Sequence, residues 1–74
     1  MFLRVYIITG KLVVQTSDVI ENGVLQLLKK DGTQVLNVSL IKTNYIKMPN
    51  PIPKGDYYVK LLSNGYEYKK QVRI

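Results

Sequence analysis

The chain offers few groups that can do chemistry. It has no histidine and no cysteine, so Ser17, Ser39 and Ser63 have no imidazole to take their protons and no thiol stands in as a nucleophile. Nothing resembles a nucleophile elbow. The carboxylates are Asp18, Glu21, Asp31, Asp56 and Glu67. Asp31 falls in a turn, and Asp56 falls opposite Arg73 in the register argued below, where a surface ion pair accounts for it. Without imidazole or thiolate ligands, and without a calcium-loop spacing, no metal centre is expected. The glycines fall singly, where turns are expected, and form no phosphate-cradling loop. The expectation is a chain with no catalytic residues, no cofactor and no metal, and therefore not an enzyme.

Six tyrosines stand among eleven basic residues. Tyr57-Tyr58-Val59-Lys60 and Tyr66-Glu67-Tyr68-Lys69-Lys70 interleave rings and cations, as a stacking platform for single-stranded nucleic acid on a small barrel does. The same alternation sends Tyr57 and Tyr68 inward and leaves Tyr58, Lys60 and Lys69, with Lys47, outside. One exposed ring is a poor platform, so nucleic acid stands as the second alternative.

The elements that position these groups follow a period of two throughout. Leu3, Val5 and Ile7 share one face, and after Thr9-Gly10 so do Leu12, Val14 and Thr16. A second pair of runs, Val24 to Lys30 and Thr33 to Leu40, flanks Asp31-Gly32, which reads as a type I′ hairpin turn. That turn opposes Leu27 to Leu36, Leu25 to Val38 and Gln26 to Asn37, apolar to apolar and polar to polar. Tyr45, Ile46 and Met48 suggest a short strand. Pro49, Pro51 and Pro53 then exclude a central strand or helix and suit a stiff crossover between sheets. A last hairpin turns at Asn64-Gly65, opposing Leu61 to Tyr68 and Tyr57 to Val72. It also sets Lys60 against Lys69 and turns Lys70 inward beside Val59, where it must snorkel or mark a bulge. Residues 1–74 therefore read as a single all-β domain, a small antiparallel immunoglobulin-like β-sandwich of six or seven strands. Its core takes in Leu25, Leu27, Leu36, Val38, Tyr57, Val59, Leu61, Tyr68 and Val72.

Tyr6, Ile8 and Val13 point away from that core, making the first hairpin apolar on both faces. A subunit contact explains this, with an internally buried strand pair as the alternative. A chain of 74 residues without disulfides or a structural metal has a thin stability margin, which association would widen. The net charge is +6 with a pI near 9.7. Arg4 and Lys11 are offset by Asp18 and Glu21, so the surplus lies from Gln26 onward. Lysines on solvent faces serve solvation, or dock an acidic neighbour. No run is long enough for a membrane span, Arg4 interrupts the apolar start, and no export signal is read. Asn37-Val38-Ser39 fits a glycosylation sequon and is taken as chance. The expected location is a virion or the cytoplasm.

Ile52-Pro53-Lys54-Gly55-Asp56-Tyr57-Tyr58-Val59-Lys60, followed by Ser63-Asn64-Gly65, Tyr68-Lys69-Lys70 and Val72, resembles the ending of the C-terminal sorting domains of Bacteroidetes type IX secretion cargo. Val24-Leu25-Gln26-Leu27 with Asp31-Gly32-Thr33-Gln34-Val35 is similar to that family's upstream strand-turn-strand, so the likeness spans Asn22 to Ile74. The resemblance implies a small sandwich acting as an address tag, secreted or at the cell surface, with Val72 and Ile74 engaging the secretion machinery. The pattern is shared with immunoglobulin-like bacterial and phage domains. A chain starting at its own Met1, with no cargo domain, better suits a component of a larger particle. The preferred expectation is a non-enzymatic structural subunit, such as a capsid decoration protein, oligomeric or held in an assembly. Tyr6, Ile8, Val13, Tyr58, Lys60 and Lys69 are its expected partner-binding residues, and the sorting domain is the first alternative.

Overall fold

The computed structural model describes all residues from Met1 to Ile74. Five strands form one antiparallel sheet: β1 (Leu3–Ile8), β2 (Lys11–Lys29), β3 (Gln34–Pro51), β4 (Asp56–Ser63) and β5 (Tyr66–Arg73). β2 is the spine. One side of it pairs with β3 along most of its length; the other pairs with β1 from Lys11 to Thr16 and with β4 from Gly23 to Lys29. β5 extends the sheet beyond β4. No helix of the structure is long and apolar enough to cross a membrane.

The seven runs of alternating residues thus become five strands, because two of them run on through a bend. Between the pairs Gln15↔Tyr45 and Ile20↔Thr43, the residues Thr16, Ser17, Asp18 and Val19 of β2 stand against Asn44 alone. Such a bulge bends the ribbon sharply and removes polar groups from the ladder. Side chains take them up. Thr16 Oγ1 donates to Asp18 O at 2.6 Å, and Thr43 Oγ1 donates to Tyr45 O at 2.9 Å. Lys42 turns the facing strand with a φ of +48°. The N-terminus ties down the bulge, as Ser17 N–H donates to Phe2 O and Phe2 N–H to Ser17 Oγ.

The bend lays a three-stranded layer (β1 with the first half of β2 and the second half of β3) over a four-stranded one. The result is a curled half-barrel made from one continuous sheet. Its core joins Leu12 and Val14 of the first layer to Leu25, Leu27, Tyr57, Val59 and Leu61 of the second, with Met48 and Ile52 at the crossover. Leu36, Val38, Tyr68 and Val72, expected in that core, pack against it half-buried, because β3 and β5 lie at the sheet's edges.

The Asp31-Gly32 hairpin differs from expectation in an instructive way. Gly32 alone has positive φ (+94°), and Gly32 N–H donates to Lys29 O while Lys29 N–H donates to Thr33 O. This is a type I turn followed by a left-handed glycine, a three-residue loop. A one-residue register shift at Leu28 cancels the extra residue, so Leu27↔Leu36, Gln26↔Asn37 and Leu25↔Val38 still pair. Thr33 N–H donates to Asp31 Oδ1 at 2.9 Å, which holds the Asp31 carboxyl below its ordinary range. Asn64-Gly65 is the type I′ turn expected, with φ of +50° and +77°, and Thr9-Gly10 is another (+50°, +76°).

Candidate interaction surfaces

The outer face of the three-stranded layer carries Tyr6, Ile8 and Val13. Tyr6 pairs with Val13, and Val13 with Lys47, so Tyr6, Val13 and Lys47 stand in one row across the layer, with Ile8 on the next beside Lys11. Val13 belongs to this face and not to the main core, yet it has no accessible surface. Its neighbours on the row, Tyr6 and Lys47, flank it on both sides. At Val13 the stated alternative of internal burial holds, since its own chain encloses it. Ile8 is exposed and Tyr6 half-buried. Beside that row lies a second, Arg4–Gln15–Tyr45, with Tyr45 exposed. Tyr45 has no sequence signal that places it here, and Lys47, expected beside Tyr58, Lys60 and Lys69, lies on this layer instead, because the β2–β3 ribbon brings both beside β1.

Tyr58, Lys60 and Lys69 do come together, on the outer face of the four-stranded layer. Lys60 and Lys69 are directly opposite, as expected. Each ammonium turns to a diagonal neighbour: Lys60 Nζ lies 3.1 Å from Glu67 Oε1, and Lys69 Nζ lies 4.5 Å from the Tyr58 ring centroid. Like charges are thus separated by one ion pair and one cation–π contact. The lysine occupies the ring on which a base would stack. Lys70 pairs with Val59 and snorkels out across the open side of the half-barrel, donating to Leu3 O at 3.2 Å.

A third surface is an edge. β3 pairs with β2 and with no other strand, so one side of it is uncovered. From Gln34 to Ile41 this edge contains no charge, no proline and no glycine. Its later part is guarded by Lys42 and Lys47, and by Pro49 and Pro51, which an edge strand tolerates.

Two grooves lie at the ends of the molecule. One, about 680 Å³, is lined by Lys29, Lys30, Lys54, Asp31 and Asp56 among others. Its carboxylates already serve the Thr33 turn and Arg73, 3.7 Å from Asp56. The other, about 280 Å³, lies between Met1, Val19 and Tyr66. No three acidic residues cluster as a metal site would require.

The motif behind the family resemblance has a structural explanation. The Tyr57 hydroxyl donates to Pro53 O at 2.7 Å, and the Tyr57 ring lies over Gly55. Gly55 and Ile74 exchange two backbone hydrogen bonds. Ile-Pro-Lys-Gly-Asp-Tyr thus builds the corner by which the chain enters β4. Compared with known families and with characterised proteins, the chain matches no family model and no individual protein.

Proposed function

We propose that this chain is a non-enzymatic structural subunit that docks into a larger assembly, of the kind that decorates a virion surface. The uncovered β3 edge from Gln34 to Ile41 carries the reading. A strand edge of high β-propensity with no guarding charge is a template for another strand, and chains that remain alone normally blunt it. Only 13 residues are buried, so a partner strand would also add stability. Ile8, exposed at the end of the first hairpin, would extend the contact, while the lysines of the four-stranded layer orient an acidic neighbour. The virion setting rests on analogy of fold. Kinship with immunoglobulin-like domains belongs to the same proposal, supported by the tyrosine bonded to backbone four residues upstream, as in a tyrosine corner. The address-tag alternative needs a receptor to reach Val72 and Ile74, which pack against the core.

The test places charges on the edge. Asn37→Lys with Ser39→Lys, both at exposed positions, should leave the circular dichroism spectrum unchanged. The native chain should sediment as an oligomer or within a particle, and the variant as a free monomer. A native chain that sediments alone, joins no particle and exports a fused cargo would overturn the proposal in favour of the tag.

A further inference from the structure

We propose that the outer face of the three-stranded layer binds single-stranded nucleic acid, independently of the β3 edge. The segments that build this layer, residues 3–8, 11–16 and 44–51, contain no aspartate or glutamate, and they carry Arg4, Lys11 and Lys47. On the outer face of the four-stranded layer, Lys60 meets Glu67 and Lys69 meets Tyr58. On the three-stranded face the cations instead alternate with rings. Arg4 and Tyr45 lie on one row with Gln15 between them; Tyr6 and Lys47 lie on the next with Val13 between them. Each row thus has one ring and one cation, at opposite ends. Phe2 stands beyond, exposed, with the Arg4 guanidinium 5.8 Å from its ring centroid.

The pattern selects its occupant. A second copy of the same face would set Arg4, Lys11 and Lys47 against themselves across a two-fold axis, so self-association here is repulsive. A duplex demands an element that enters a groove, whereas this face is a sheet three strands wide. An acidic peptide would use the cations and leave the rings idle. A single strand uses both. Its phosphates meet the cations, and its bases stack on Tyr45 and Tyr6, which strand spacing and rise put roughly 12 Å apart, about two nucleotides of extended chain. Gln15, between Arg4 and Tyr45, offers a donor and an acceptor to a base edge. Val13, enclosed beneath, holds the platform flat.

The experiment is fluorescence anisotropy of a labelled twelve-nucleotide oligo-thymidine titrated with the full chain. The native chain should bind at low salt. With three phosphates neutralised, affinity should fall about 20-fold between 50 and 200 mM salt. Tyr45→Ala should weaken binding about tenfold and Tyr45→Phe should restore it; Lys47→Gln should weaken it and flatten the salt dependence. Tyr45 and Lys47 are exposed, so these variants should keep the native circular dichroism spectrum. Lys60→Gln with Lys69→Gln, on the opposite layer, should change affinity less than twofold. The proposal fails if the oligonucleotide does not bind at 100 μM protein, or if Lys60→Gln with Lys69→Gln weakens binding as much as Lys47→Gln. It also fails if Tyr45→Ala binds as well as the native chain, or if polyglutamate or phosphatidylserine vesicles compete equally; either result would make the face a plain electrostatic patch.

Discussion

Two positions show how single residues hold this sheet together, and how one works against it. Thr9 has a φ of +50°, in the first central position of a type I′ turn. A β-branched residue there presses its Cβ and methyl against the backbone, at a cost of roughly 1–2 kcal/mol. Its hydroxyl bonds only to the neighbouring Ile8 O on an exposed surface, which offsets little. Thr9→Asn should therefore stabilise the chain by about 1 kcal/mol, read as a higher urea midpoint with an unchanged slope. Gly23 is the opposite case. It lies in the middle of β2 between Leu40 and Ser63 and not in a turn, contrary to the expectation that every glycine marks one. A Cβ there would stand 2.8 Å from Leu62 O and 2.9 Å from Ile20 Cγ2. The first is backbone of the paired strand and cannot rotate away. Gly23→Ala should destabilise by about 2 kcal/mol and lower the melting temperature by roughly 10 °C.

At the scale of elements, the legible and the illegible parts divide by range. Hairpin registers follow from alternation and a turn within a few residues, so Tyr57↔Val72 and Leu61↔Tyr68 are readable from the chain alone. Leu27↔Leu36 is readable too, although the turn beside it is of another type, because a misplaced register would have turned every leucine outward. The bend at Thr16–Val19 is not readable, since a bulge keeps the backbone extended and leaves the apolar runs on either side intact. Missing it splits β2 and β3 into four strands and predicts separate sheets where one sheet curls. The candidate surface suffers in the same way. Tyr6 and Arg4 are visibly outward from the period of β1, but Tyr45 and Lys47 join them only across β2. Alternation also cannot say what covers an outward residue, so it leaves a partner chain and the chain itself as equal candidates to cover Val13. Lys70 shows the converse. An inward lysine beside Val59 looked like a flaw in the pattern, and the open side of the half-barrel gives it a way out to Leu3 O.

For the molecule as a whole, charge sets the response to solvent. Eleven cations face five carboxylates on a body of 30 × 25 × 18 Å. Most cation pairs therefore lie within about 30 Å, the screening length at 0.01 M salt, and many lie near the 10 Å length at 0.1 M. Two like charges 10 Å apart in water repel by about 0.4 kcal/mol. The attractive side is small, because the two ion pairs, Lys60–Glu67 and Arg73–Asp56, are both solvent-exposed on at least one partner and such pairs contribute about 0–1 kcal/mol. Repulsion outweighs attraction, so screening should favour the folded state. Raising sodium chloride from 10 to 300 mM should lift the urea midpoint, by an amount on the order of 1 kcal/mol in unfolding free energy. The same titration should loosen a bound oligonucleotide, so the free and the bound chain should respond to salt with opposite sign. If the midpoint of the free chain falls steadily with salt instead, the two ion pairs hold more of the sheet together than their exposure allows.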